Sequence, residues 1–304
     1  ALALAVLLAY TTLMPISGHT RLLGLLGWPV AHSFSPAMHN AAAAALGLDL
    51  AYVPLPTRPG HLPAALQGLA ALGFLGVNVT VPHKQAVLPL LDELAPAGQA
   101  IGAVNSIKLV RDPAGQARLV GDNTDGAGFL ADLAAQGVSP AGQECLLLGA
   151  GGAARAVAYA LAQAGVQVHV LARRPEQAAG LVADLARHCP GRVLAAHAWP
   201  DLAALSQRPA LALVVNSTPL GMAPQPHASP WPDELPFPAG VVAYDLVYNP
   251  RQTRFMQQAQ AAGGRAMNGL GMLVQQGALA FAWWTGSRPD VAIMRAAIDQ
   301  EKTG

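Results

Sequence analysis

Glu144-Cys145-Leu146-Leu147-Leu148-Gly149-Ala150-Gly151-Gly152-Ala153-Ala154-Arg155-Ala156-Val157-Ala158-Tyr159 opens the stretch on which the reading of the fold turns, and the stretch continues to Arg174. Cys145 to Leu148 is an apolar run long enough for one buried parallel strand. The glycines make a turn, Arg155 to Ala164 reads as a helix stopped by Gly165, and Val166 to Leu171 reads as a second strand. Strand, glycine turn, helix and strand within about thirty residues are the setting that a dinucleotide site requires. Gly149 suits the tight turn, Gly151 lets the backbone approach a pyrophosphate, and Ala154 takes the third small position where helix meets strand. The helix N-terminus would then turn unpaired N–H groups toward the phosphates.

The residues after the second strand bear on which dinucleotide is bound. An NAD site places an acid there for the ribose 2′-hydroxyl, whereas this chain reads Ala172-Arg173-Arg174-Pro175, with no acid before Glu176. Two guanidinium groups suit a 2′-phosphate, because each offers a charged, planar fork. The reading is NADP, and a solvated basic turn is the alternative.

Composition narrows the rest. A chain of 304 residues accommodates two domains of ordinary size, and 53% hydrophobic with 12% charged residues supports a large core. A formal net charge of +1 gives no electrostatic case for nucleic acid or an anionic membrane. Two cysteines are too few for a disulfide framework, and Cys145 falls in the predicted buried strand. The nine histidines show no metal-ligand spacing, so no metal is expected. These features suit a cytoplasmic protein. Ala1 to Met14 is apolar, but no Lys or Arg precedes the run and it is short for a membrane span. It reads as an extension outside the domain or an edge element.

Taken in order, Leu22 to Gly27 is a first strand, followed by a loop through Trp28 to Pro36. Ser35 is expected as N-cap, with Pro36 at the first helical position of a helix running to Ala45. Ala51 to Leu55 is a strand, and His61 to Leu72 a helix ended by Gly73. In Gly76-Val77-Asn78-Val79-Thr80-Val81-Pro82-His83-Lys84, Asn78 and Thr80 share one strand face, and His83-Lys84 open a helix reaching Leu94. A Lys just past a strand's C-terminal end lies where open α/β sheets bind ligands, an edge strand with a surface Lys being the alternative. Ala103 to Val110 is a strand, with a turn at Asp112 to Gly115. Val120 to Gly126 is a polar knot, richer in polar residues than capping needs, ahead of a helix from Phe129 to Gln136. Later elements are a helix from Glu176 to His188, a strand Leu211 to Asn216, an irregular Pro224 to Pro238, and a strand Val241 to Tyr248 broken by Asn249-Pro250. A helix to Ala262 follows, then a long apolar helix from Gly269 with Trp283 and Trp284 as core, and a last helix.

Seven stretches together resemble the shikimate dehydrogenase family over nearly the whole chain from Leu22. They are Ser33-Phe34-Ser35-Pro36, Asn78 to Lys84, Ala103-Val104-Asn105, Gly121 to Gly126, Gly149 to Ala153, Asn216 to Met222, and Gly269 to Leu273. The resemblance implies two α/β domains with a cleft between them. Residues 1–124, rejoined by 274–304, would form the substrate-binding catalytic domain, and residues 125–273 a Rossmann-like NADP domain. It implies reversible, NADPH-dependent reduction of 3-dehydroshikimate to shikimate in aromatic amino acid biosynthesis, by a monomer or homodimer. Ser33 and Ser35 would hold the substrate carboxylate; Thr80, Asn105, Tyr248 and Gln276 would surround the ring; Lys84 and Asp125 would be catalytic. Gly149, Ala150, Gly151, Gly152, Ala153, Arg173, Arg174, Thr218, Leu246 and Gly269 would contact NADP.

The chemistry of these side chains agrees. Hydride reduction of a ketone needs a donor to the developing alkoxide, and a Lys ammonium beside an Asp meets that need. Asp125 would also hold Lys84 charged, so Lys84 would orient and stabilise charge as much as exchange protons. The chain departs from the family at Ala172-Arg173-Arg174, where Asn-Arg-Thr is usual, at Trp28, where a smaller polar residue is common, and in the Ala1 to Met14 extension. A shikimate/quinate dehydrogenase of broader substrate or NAD use, and a catalytically silent binding protein on the same fold, are the alternative functions.

Overall fold

The protein's computed structural model describes residues 16–301, so the expected Ala1 to Met14 extension lies outside the described residues. The chain divides into two compact units, Ala1–Thr124 with Val274–Gly304, and Asp125–Leu273.

The first unit is built on a six-stranded mixed sheet. Its strands are β1 (Arg21–Gly27), β2 (Leu50–Pro56), β3 (Gly76–Val79), β4 (Glu93–Leu94), β5 (Ser106–Arg111) and β6 (Ala117–Asp122), in the order β2-β1-β3-β5-β6-β4. β1 runs parallel to β2 and β3, while β5 runs antiparallel to both β3 and β6. The C-terminal ends of β1, β2, β3 and β6 and the start of β5 therefore share one edge, marked by the row Asn78, Ser106 and Asp122. Helices α1 (Ser35–Ala45), α2 (Leu62–Ala71) and α3 (Pro96–Ile101) complete this part. Leu26, Leu62, Leu66, Phe74, Val77, Val79 and Ile107 close one core, each buried Leu contributing about 2 kcal/mol.

Four local expectations change here. α1 starts at Ser35 itself, with Phe34 as N-cap, because the Ser33 hydroxyl accepts the Ser35 N–H (3.2 Å) and bends the chain two residues earlier. β3 is a central strand buried along its length, and it ends at Val79, leaving Thr80 just beyond. No helix follows His83-Lys84. The Lys84 carbonyl accepts the Val104 N–H (2.7 Å) instead of propagating a helical ladder, and Pro89 has no N–H to donate, so the segment makes only a 3-10 turn at Leu88–Leu90 before β4. The polar knot is half strand: Val120 and Gly121 pair with Lys108 and Ile107 in β6.

The second unit holds β7 (Glu144–Leu148), β8 (Gln167–Leu171), β9 (Leu194–His197), β10 (Leu211–Asn216), β11 (Val242–Asp245) and β12 (Arg265–Asn268). They pair in parallel in the order β12-β11-β10-β7-β8-β9. Counted within the unit this is 3-2-1-4-5-6, the doubly wound dinucleotide topology, whose order reverses between β7 and β10. Helices α4 (Asp125–Ala135), α5 (Gly152–Gln163), α6 (Pro175–Ala186), α7 (Leu202–Ser206) and α8 (Arg254–Ala261) accompany it. Alternate β7 side chains serve two cores: Cys145 and Leu147 on one face, Leu146 and Leu148 on the other. α4 begins four residues ahead of the expected Phe129. Its glycines weaken the helical signal, yet Gly126 lies where a Cβ would come within 2.7 Å of the Ala156 carbonyl of α5.

The last helices are α9 (Leu270–Thr285), whose residues from Val274 belong to the first unit, and α10 (Val291–Glu301), which packs on α1. Trp284 is core, its indole N–H donating to the Ile107 carbonyl (2.9 Å), while Trp283 is half-buried beneath the Lys108 ammonium.

Candidate active site

The shared strand edge of the first unit gathers most of its expected site residues. Ser33 and Ser35 follow β1, Thr80 and Lys84 follow β3, and Asn105 immediately precedes β5. Asn105 is buried and spends its amide on a network: its Nδ2 donates to Thr124 Oγ1 (2.9 Å) and to Gln276 Oε1 (3.0 Å), while its Oδ1 accepts the Thr124 N–H (2.8 Å). Thr124 Oγ1 in turn donates to the Gln276 carbonyl (3.1 Å). Asn105 and Gln276 are thus pre-oriented as neighbours despite lying 171 positions apart.

A second buried chain stands behind the serines. The Tyr52 hydroxyl donates to Asn78 Oδ1 (2.8 Å), and Asn78 Nδ2 donates to Ser106 Oγ (3.1 Å) and the Asn105 carbonyl (3.2 Å). Burial pushes the Tyr52 phenol well above its ordinary value, and a hydrogen bond with Ser35 acts in the other direction. His39 stacks on Tyr52 with ring centroids 4.2 Å apart, and burial pushes its imidazole down to about 3, so it is a neutral packing surface at physiological pH.

Asp125 and Tyr248 belong to the second unit. Asp125 follows Thr124 directly and is the buried first residue of α4, where a carboxylate suits the helix N-terminus. Tyr248 is half-buried three residues beyond β11.

The second unit's strand ends carry the remaining expected residues. Gly149 follows β7 with φ +113°, and a Cβ there would stand 2.5 Å from Ser217 Oγ, so the turn requires glycine. Ser217 follows β10 and anchors the switch point, its N–H and Oγ both donating to the Leu148 carbonyl (2.9 and 2.7 Å). Gly151 is the N-cap of α5, with no side-chain cap, followed by Gly152, Ala153 and the fully buried Ala154. Thr218 donates through N and Oγ1 to Asn216 Oδ1 (2.9 and 2.7 Å). The Leu246 N–H bonds the Asn216 carbonyl (2.9 Å), and the Gly269 N–H bonds the Val247 carbonyl (3.2 Å). Arg173 and Arg174 are exposed at the end of β8, Arg174 capping α6.

These residues fit a phosphorylated dinucleotide. A Cβ at Gly151 would meet nothing within 4 Å, so the turn leaves open space beside the uncapped α5 N-terminus. The exposed arginine pair supplies positive charge at the neighbouring strand end.

Three residues of these networks, and His83 beside Lys84, escape the sequence reading as functional supports. In the sequence Thr124 stands in the polar knot and His83 before Lys84, both inside stretches that carry the family resemblance, with no role of their own assigned. Asn216 and Asp245 end β10 and β11, joined by Asn216 Nδ2 to Asp245 Oδ1 (2.9 Å). Polar residues at the ends of apolar strands were the available signal. Burial pushes the Asp245 carboxyl up to about 6, against the hydrogen bonds it accepts from Thr253, Val247 and Asn216.

A glycine-turn dinucleotide unit joined in one chain to a lysine- and amide-bearing strand edge defines the class, a dinucleotide-dependent α/β enzyme of two units. The sequence model of the Shikimate dehydrogenase substrate binding domain matches residues 25–107, and that of the Shikimate 5'-dehydrogenase C-terminal domain matches residues 269–298. The shikimate dehydrogenase (NADP(+)) of Salinibacter ruber is 49% identical over 288 residues, covering 93% of this chain and 99% of its own length. Its counterpart in Symbiobacterium thermophilum is 48% identical over 285 residues, 92% of this chain and 94% of that one. Among solved structures, the shikimate 5-dehydrogenase of Thermus thermophilus in complex with NADP(H) and shikimate is 43% identical, with a TM-score of 0.81 over 92% of this chain and 99% of that one. The chain belongs to the shikimate dehydrogenase family.

Proposed function

We propose that this protein reduces 3-dehydroshikimate to shikimate, reversibly and with NADPH, in aromatic amino acid biosynthesis. The observation that carries the reading is the gathering of Ser33, Ser35, Lys84, Asn105 and Gln276 by one edge of the first unit's sheet. That unit is the substrate-binding domain, and the second is the NADP domain. The hydroxyls of Ser33 and Ser35 hold the substrate carboxylate. Thr80, Asn105, Tyr248 and Gln276 surround the ring, with Asn105 and Gln276 already fixed by their mutual bond. The cofactor supplies the hydride to the carbonyl carbon. Lys84, as an ammonium, donates to the developing alkoxide oxygen and delivers its proton there; Asp125 orients the ring hydroxyls. Gly149, Ala150, Gly151, Gly152 and Ala153 hold the pyrophosphate, Arg173 and Arg174 the 2′-phosphate, and Thr218, Leu246 and Gly269 also contact the cofactor. The protein works in the cytoplasm as a monomer or homodimer, and no helix among the described residues is long and apolar enough to cross a membrane.

The test is NADP+ reduction by purified protein with shikimate, repeated with quinate and with NAD+. Turnover with shikimate and NADP+ far above the other pairs is expected. Comparable rates with quinate or NAD+ would make it a shikimate/quinate dehydrogenase of broad use. Folded protein that binds shikimate without turnover would be a binding protein on an enzyme's fold.

A further inference from the structure

Lys84 sits on irregular backbone rather than on a helix, and a flexible four-carbon side chain is only as well placed as the backbone that carries it. That backbone is tied on each side. The Thr80 N–H bonds the Leu26 carbonyl (2.9 Å), the His83 N–H bonds the Thr80 carbonyl (2.9 Å), and the Lys84 carbonyl accepts the Val104 N–H (2.7 Å). His83 adds a side-chain tie. Its ring is 1% exposed, and Nε2 lies 2.7 Å from the carbonyl oxygen of Thr57, just past β2. A carbonyl only accepts, so Nε2 carries the proton and donates. Thr57 is itself fixed, its N–H bonding the Gly27 carbonyl at the end of β1 (2.8 Å). The His83 ring thereby links the loop after β3 to the residue just past β2 and, through the Thr57 N–H, to the end of β1.

We infer that His83 is a positioning residue for Lys84, clamping the loop that carries the ammonium through its hydrogen bond to the Thr57 carbonyl. The inference rests on the catalytic reading of Lys84. A buried ring next to the catalytic residue has two separable jobs, filling space and donating one hydrogen bond, and substitutions can divide them. His83→Phe keeps the volume and loses the donor, whereas His83→Gln retains an N–H near the position of Nε2.

The experiment measures kcat and KM for shikimate, with thermal unfolding, in His83→Phe and His83→Gln, and repeats His83→Phe in a Lys84→Ala background at high enzyme concentration. Expected are a loss of about tenfold in kcat with KM for shikimate within about twofold for His83→Phe, and recovery of most of that loss by His83→Gln. In the Lys84→Ala background the His83→Phe factor should vanish, because a residue acting through Lys84 has nothing left to position. An unchanged kcat in folded His83→Phe, or the same loss with and without Lys84, would overturn the inference while leaving Lys84 catalytic. Near-normal turnover of Lys84→Ala alone would instead remove the reading on which it stands.

Discussion

The two sheets present their functional edges with different atoms. In the first unit the edge is made of side chains: Asn105, Thr124 and Gln276 are buried and bonded to one another, with Tyr52, Asn78 and Ser106 behind them. In the second unit the edge nearest the glycine turn is mostly backbone, with an uncapped helix N-terminus, a positive-φ glycine and two exposed arginines. Under the proposed function, the contrast follows from what each edge would recognise. A ring bearing several hydroxyls and a carboxylate requires donors and acceptors at fixed points, which only locked side chains supply. A pyrophosphate is satisfied by N–H groups that every residue carries, provided no side chain stands in the way. The first edge should therefore fail when a side chain is removed, and the second when one is added.

Lys84→Ala is the largest such removal. Loss of the proposed proton donor should lower kcat by on the order of a thousandfold, with shikimate still binding and thermal unfolding little changed. Steady-state kinetics beside shikimate titration checks this. Turnover within a few-fold of the parent protein would leave the first edge a binding surface only.

Gly151→Ala is the matching addition. Its backbone angles, φ −81° and ψ −173°, are open to any residue, and the new Cβ would touch nothing within 4 Å, so unfolding should be unaffected. The methyl group would occupy the approach of the phosphates, and KM for NADP+ should rise by roughly tenfold or more while shikimate binding holds. If the variant binds NADP+ as the parent does, the backbone reading of this edge is wrong.

How much of this was open to sequence reading follows the same division. The glycine turn, the flanking strands and the basic strand end were legible because each rests on local chemistry: φ > 0, small residues, charge. β10 was read to its observed ends, since an apolar run bounded by polar residues needs no partner to be recognised. The segment after Lys84 misled because its carbonyl is claimed by Val104, a tertiary bond that no local propensity records. β6 and β9 were hidden because short half-exposed strands are defined by what they pair with. Within the site, the residue types stood out as polar positions at strand ends, but the link between Asn105 and Gln276 required the fold.

Asp245→Asn tests the side chains that do occur at the second edge, which brace the backbone. Burial raises the Asp245 carboxyl to about 6, above its value of about 4 in an unfolded chain, so the folded state holds the proton more tightly. Stability from that group is complete below about pH 4 and is lost as pH rises through about 6, by on the order of 2 kcal/mol. Asn cannot titrate. Urea unfolding should thus show the stability of the parent protein, relative to Asp245→Asn, falling between about pH 4 and 7 and then levelling. A constant difference across that range would mean that its bonds to Thr253, Val247 and Asn216 hold the carboxylate as comfortably as water does.

Arg173→Ala should have the smallest effect, because it removes a side chain from an edge that relies on backbone. Arg173 and Arg174 are both exposed, so solvent screens each charge and either can partly replace the other. The expected outcome is a loss of about tenfold in kcat/KM with NADP+, and almost none with NAD+, which has no 2′-phosphate to lose. Equal losses with both cofactors would mean that Arg173 supports the adenosine or the turn itself. No loss with either would shift 2′-phosphate recognition to Arg174, and the double substitution would then have to show the full preference disappearing. The NADP-specific loss would sharpen the comparison: charge at the second edge selects between cofactors, while the backbone beside it supplies the affinity common to both.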